Sequence, residues 1–155
     1  MTFSRSLAVA LLSTTCLVAG AAQAQGAPSK GEQALKFRKS AYQVMAWNFG
    51  PLGAMAQGKV PYDAAEFAKR AERVAQIAPM LSEGFPAETR DLPNSKLKPE
   101  MWTDRANFDA KMKDLVDRTA ALATVAKSGD FASSKAAFFD AANTCKACHD
   151  KYKND

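Results

Sequence analysis

The sequence predicts an all-α protein, an antiparallel four-helix bundle. Four stretches repeat apolar residues at three- and four-residue steps, and none alternates in the two-residue manner of a strand. Two short connections and one long one join these stretches, as in a bundle whose neighbouring helices run antiparallel. The amino terminus also reads as a removable leader, which leaves 131 of the 155 residues. That is enough for one hydrophobic core and too few for two domains. There is no internal repeat and no low-complexity tract.

The leader comes first. "MTFSR" carries one positive charge, Arg5, and "SLAVALLSTTCLVAGAA" is apolar with a polar interruption. Ala22-Gln23-Ala24 is the small-x-small pattern of a cleavage site, so residues 1–24 read as a secretory signal peptide and 25–155 as the bundle domain. A membrane anchor is the competing reading. Leu7 to Ala22 would reach roughly 24 Å as a helix against a hydrocarbon core of ~30 Å, and no other segment is apolar enough to span. Cys16 follows Ser13-Thr14-Thr15, a poor match to a lipoprotein signal, and is discarded with the leader. The remaining chain has 20 basic and 16 acidic residues, a net charge of +4. Opposite charges alternate along it, which describes solvated helix faces rather than a nucleic-acid-binding surface.

In the first helix, "GEQALKFRKSAYQVMAWNFG", Leu35, Arg38, Tyr42, Met45 and Phe49 form one stripe, and Gly50-Pro51 is expected to end it. Asp63 and Glu66 form a capping pair for the second helix. Its stripe is Phe67, Ala71, Val74, Ala78 and Leu81, with Pro79 kinking or finishing it. "EGFPAETRDLPNSKLKPE" is rich in Gly, Pro and charge. As a loop of about eighteen residues it exceeds the usual connection and suggests a covering or binding role. Thr103 is the expected cap of the third helix, with Phe108, Met112, Leu115, Thr119 and Leu122 inward. "KSGD" stops that helix at Gly129 and restarts the chain at Asp130. The fourth stripe is Phe131, Lys135, Phe138, Ala142, Cys145, His149 and Tyr152. The helices are expected to run roughly 16 to 24 residues each.

The tail of the fourth helix, "AANTCKACHDKYKND", holds both cysteines left after the leader and the chain's single histidine, as C-x-x-C-H. Residues three and four apart share a helix face, so Cys145, Cys148 and His149 are expected to point toward the bundle interior. Two sulfurs one turn apart can form thioethers with the vinyl groups along one haem edge, and the adjacent imidazole reaches the iron; C-x-x-C-H reads as c-type haem attachment for this reason. By chance the pattern should arise on the order of once in a few thousand such sequences. A thioredoxin-like dithiol wants its nucleophile at a helix N-terminus, and this pair sits near a C-terminus. Zinc needs four ligands, and two Cys and one His fall short. One motif means one haem, and one histidine forbids bis-histidine ligation. A methionine in the sixth position would have to come from upstream.

With these residues in view, the chain resembles the cytochromes c′, class II c-type cytochromes whose haem motif lies at the C-terminus. The resemblance covers essentially all of 25–155. It rests on "FRKSAYQVM", "GKVPYDAAEF", "KPEMWTD" and "CKACHDKY". It implies a homodimer of four-helix bundles, each with one covalent haem c whose iron is five-coordinate and high-spin, with His149 as its only protein ligand. Nitric oxide and carbon monoxide are the implied ligands, in the periplasm, with electron transfer to an unidentified redox partner. Arg38 matches the first-helix arginine at the haem propionates, and Tyr42 the side chain over the vacant iron face. Low-spin relatives carry a methionine there. Met45 remains a rival sixth ligand, although about 4.5 Å further along the helix axis. More weakly, Lys96 and Leu97 match residues at the haem edge, and Lys153 stands where arginine is frequent beside the imidazole.

Two functional readings therefore stay open: a gas-binding haem c protein with a bare iron face, or a low-spin one-electron carrier closed by Met45. A third is a helical interaction protein with a Cys145–Cys148 disulfide. Catalysis is poorly supported, because no histidine is left over as an acid or base and no carboxylate pair stands out. Trp47 and Phe139 serve equally to finish the core or to cover a dimer contact.

Overall fold

In the computed structural model, which describes residues 27–154, Ser29 opens the first helix. Its hydroxyl accepts from the Glu32 amide and Glu32 reaches back to the Ser29 amide, a reciprocal cap. The helices are α1 (Lys30–Ala56), α2 (Ala64–Ile77), a single turn α3 (Glu100–Thr103), α4 (Arg105–Ala126) and α5 (Phe131–Tyr152). Four long helices make the bundle: α1 packs against α2 and α5, and α4 against α5 and α2. The predicted signal peptide, its cleavage site and Cys16 lie outside the described residues.

Gly50-Pro51 does not end α1, which runs on for another turn and a half to Ala56. A proline inside a helix has no N–H for the carbonyl four residues back and crowds the residue before it. Gly50, without a Cβ, removes the second problem. Arg70 of α2 removes the first, its Nη1 donating to the orphaned Trp47 carbonyl at 3.1 Å. The extension then buries Leu52, Met55 and Ala56. Burial worth about 1.5–3 kcal/mol for each larger side chain offsets a proline cost of about 3 kcal/mol.

The stripes of α2 and α4 are buried as expected: Phe67, Ala71, Val74, Ala78 and Leu81, and Phe108, Met112, Leu115, Thr119 and Leu122. Pro79 does finish α2, which passes into a 3-10 helix, Ala78–Gly84, followed by a second, Ala87–Thr89. Asp63 caps α2 through the Glu66 amide, but Glu66 spends its own carboxylate on Lys69 and Arg70. Thr103 caps nothing. It ends α3, its hydroxyl turned back to the Glu100 carbonyl, and α4 starts after Asp104, whose carboxylate is taken by Lys151 and Tyr152. Gly129 has φ +74°, and Asp130 caps α5 through the Ser133 amide.

On α5 the expected stripe is partly wrong. Ser134, Phe138, Ala141 and Tyr152 are buried, whereas Phe131 and Lys135 are exposed. Phe131 lies at the bundle end against Tyr62, ring centroids 4.9 Å apart, and the Lys135 ammonium sits over it. Trp47 and Phe139 do not finish the core either: Trp47 is 75% exposed and Phe139 39%.

Candidate functional site

A groove opens between α1 and α5, roofed by the long connection and floored by α4. Two adjoining cavities make it up, of about 510 Å³ and 240 Å³. Tyr42, Ala46, Cys148 and His149 line both, which joins them into one space. Cys145 and Cys148 are half-buried and His149 is exposed, so the motif faces an open groove rather than a closed interior.

The larger cavity is built on a chain of rings. Tyr42 of α1 meets Phe85 of the connection edge-on at 6.3 Å, Phe85 meets Phe108 of α4 at 4.8 Å, and Phe108 meets Tyr152 of α5 at 5.6 Å. All four line it. The connection is pinned at its far end to the tail: Leu97 and Lys153 form an isolated antiparallel bridge. The Lys98 amide donates to the Tyr152 carbonyl and the Asn154 amide to that of Lys96, both at 2.9 Å. Asn94 and Lys96 take positive φ to make this turn. The 94–97 segment thus forms a wall of the cavity, the covering role its length suggested.

Arg38 enters this cavity from α1 and does not snorkel; it is 5% exposed. Its guanidinium lies 4.8 Å over the Phe85 ring and donates to the Gly84 carbonyl and to Ser95 at the carbonyl and hydroxyl, 3.1–3.3 Å. Burial lowers its pKa without neutralising it. Among the described residues no carboxylate pairs with it. A buried charge is ordinarily paired, so this end of the cavity suits an anionic group.

Tyr42 is half-buried, and burial pushes its phenol well above the ordinary value, keeping it neutral. Met45 is buried among Phe49, Leu81, Met112 and Leu115 and lines only the smaller, apolar cavity. Partial desolvation against the groove lowers the His149 pKa, and Lys153 adds to this, which favours the neutral imidazole that binds metals. Burial raises both thiols, the opposite of an activated dithiol. Cys145 and Cys148 are not joined in a disulfide. Among the described residues no group of three or more His, Cys, Asp or Glu side chains is placed to hold a bare metal ion.

Lys96 and Leu97 both line the larger cavity, as does Lys153. Sequence reasoning missed Phe85, Gly84 and Ser95. The only signal was the Gly-Phe-Pro run inside a stretch read as loop, and Gly84 is small because a Cβ there would sit 2.6 Å from the Cβ of Arg38.

The residues fit a haem c. Two sulfurs and an imidazole stand on one wall and a buried cation at one end. The space is apolar and within the ~300–1,000 Å³ of cofactor sites. The family described as Cytochrome C' matches residues 33–153. A cytochrome c' from Rubrivivax gelatinosus is 36% identical over 124 residues, covering 80% of this chain and 96% of that protein. One from Alcaligenes xylosoxydans xylosoxydans is 34% identical over 125 residues, covering 81% and 96%. Among solved structures, cytochrome c prime from Shewanella frigidimarina superposes with a TM-score of 0.78 at 41% identity, over 83% of this chain and all of that one. A nitric oxide complex of a variant cytochrome c prime from Alcaligenes xylosoxidans gives a TM-score of 0.74 at 34% identity, over 82% and 98%. Matched by the family over residues 33–153 and spanning nearly the full length of these relatives, this chain belongs to the cytochrome c′ family.

Proposed function

We propose that this is a periplasmic haem c protein with five-coordinate iron that binds small neutral diatomic gases, nitric oxide and carbon monoxide, and exchanges single electrons with a redox partner. The observation that carries it is that the C-x-x-C-H wall and the buried Arg38 face the same cavity, with Tyr42 between them and the apolar pocket beyond. Cys145 and Cys148 would hold the haem through thioethers, His149 would bind its iron, and Arg38 would neutralise propionate charge. Lys96 and Leu97 border its edge. The haem supplies an open coordination position and a one-electron couple.

The chain's own residues set what reaches that position. Tyr42, neutral and packed on Phe85, limits access by size. The apolar walls from Met45, Phe49, Leu81, Met112 and Leu115 offer water little to hydrogen-bond to and so favour a small ligand with little hydration to lose. The nitric oxide complex of an Alcaligenes relative supports this choice of ligand. Residues 1–24 supply the export signal, and the mature protein forms a homodimer.

Met45 lines the smaller cavity together with Cys148 and His149, which keeps the low-spin carrier as a second reading. The visible spectrum of the ligand-free protein, oxidised and reduced, separates the two. High-spin bands in both states are expected. Sharp low-spin bands in the reduced protein, abolished by Met45→Leu, would replace the gas-binding reading with the second.

A further inference from the structure

The side chains that line the groove carry charge of one sign. Arg38 and Lys39 of α1, Lys96 of the connection, Lys111 of α4 and Lys153 beyond α5 all border it, and among the described residues no Asp or Glu lines either cavity. α1, the connection, α4 and the tail after α5 therefore each contribute a cation. Cations elsewhere are often spent on carboxylates: Lys69, Arg70, Arg105, Lys113, Arg118, Lys146 and Lys151 all sit in ion pairs. Lys39, Lys111 and Lys153 take part in none of these. Among the described residues, the acidic groups nearest in sequence to these three are engaged elsewhere: Glu32 with the cap at Ser29, Asp109 with Arg105, Asp114 with Arg118 and Asp150 with Lys146.

We propose that this lysine rim is the docking surface for an acidic one-electron redox protein, which meets the haem through the groove mouth. The proposal rests on the haem reading above and names the partner's chemistry. One electron leaves the partner's reduced centre and converts ferric haem iron to ferrous; no covalent bond forms or breaks. A second copy of this chain would be repelled across the rim, so a dimer contact lies elsewhere. An anionic membrane fits less well, because stable surface binding needs apolar side chains beside the cations. The exposed large apolar residues Phe37, Val44, Trp47, Val60, Met80, Phe131 and Phe139 line neither cavity.

The experiment uses the haem-loaded protein and, as probe, an acidic plant-type [2Fe–2S] ferredoxin, a sufficiently strong reductant. The variants are Lys39→Gln/Lys111→Gln and a control with the same charge change, Lys59→Gln/Lys127→Gln. The control lies at the far end of the bundle, where the α1–α2 and α4–α5 connections meet, a Cβ on Gly129 falling 3.7 Å from that of Ala64. Electrostatic steering predicts that the rim pair slows reduction by about threefold to tenfold at low salt and the control by less than about 1.5-fold. The difference should vanish near 1 M salt, where the Debye length is about 3 Å. Calorimetric titration of the ferric protein with oxidised ferredoxin, in which no electron moves, should show the same order of weakening.

Equal salt dependence in the two pairs overturns the proposal. So does loss of binding to phosphatidylglycerol vesicles in the rim pair with no change toward ferredoxin, which would make the surface a membrane contact. The ligand-free spectrum judges the five-coordinate reading separately, since the rim comparison needs only a bound haem in either spin state.

Discussion

Gly84→Ala tests whether the connection is pressed onto α1 at the site. The new Cβ would meet the Arg38 Cβ at 2.6 Å and its Cα at 3.1 Å. Neither side yields easily, because Gly84 is buried and Arg38 sits within a long helix. Restoring ordinary contact opens the two elements by about 1 Å, and overpacking of this kind costs about 1–3 kcal/mol. The Arg38 Nη1 bond to the Gly84 carbonyl, already 3.3 Å, is lost with it. A bond from a charged donor adds about 1–2 kcal/mol, and the two effects overlap, so the loss is about 2–4 kcal/mol. At roughly 4 °C per kcal/mol for a domain of this size, Tm falls by roughly 8–16 °C. Circular dichroism of the haem-loaded protein, with urea unfolding alongside, measures it. The visible spectrum should stay unchanged, since the proposed iron ligand, His149, is on α5. A Tm within about 2 °C of wild type would refute the reasoning, because the connection would then be free to move off Arg38.

Three further outcomes follow from the same geometry. Tyr42→Ala should speed carbon monoxide association by about tenfold or more while Tyr42→Phe changes it little, each tenfold being about 1.4 kcal/mol of barrier; flash photolysis reads the rate, and an unchanged rate in the alanine variant removes Tyr42 from gating. Arg70→Met should cost about 0.5–1.5 kcal/mol in urea unfolding, since it leaves to water the Trp47 carbonyl that Pro51 cannot satisfy. In a Pro51→Ala background, where the restored amide takes that carbonyl, the cost should shrink, and a cycle with no coupling would show the bond to be idle. Asp104 has its pKa lowered, chiefly by the Lys151 hydrogen bond and then by Tyr152. Its contribution is therefore present above the ordinary carboxylate range and lost as pH falls through the folded value. Wild type and Asp104→Asn should differ in stability near neutral pH and converge in acid; a constant difference across pH would exclude the charge as its source.

The helices were legible because burial repeats on a helical period. Phe67 to Leu81 and Phe108 to Leu122 face inward as their spacing requires, and C-x-x-C-H was specific enough to point to the family. The errors arise where a local signal is answered by a distant residue. Gly-Pro reads as a stop only while nothing else can satisfy the Trp47 carbonyl, and Arg70, more than twenty positions away in sequence, does so. Thr103 reads as a cap only while its hydroxyl is free, and the turn of α3 takes it to the Glu100 carbonyl, while Asp104, at the cap position itself, is drawn to Lys151 and Tyr152 of the distant α5. Phe85 was hidden for the same reason. It carries no periodicity, and its worth depends on Arg38, Tyr42 and Phe108 converging on it from two helices. The groove is thus a tertiary object. Its chemistry is written in one short motif, while its walls depend on a connection whose glycine, aromatic and turn residues acquire meaning only once α1, α4 and α5 are in place.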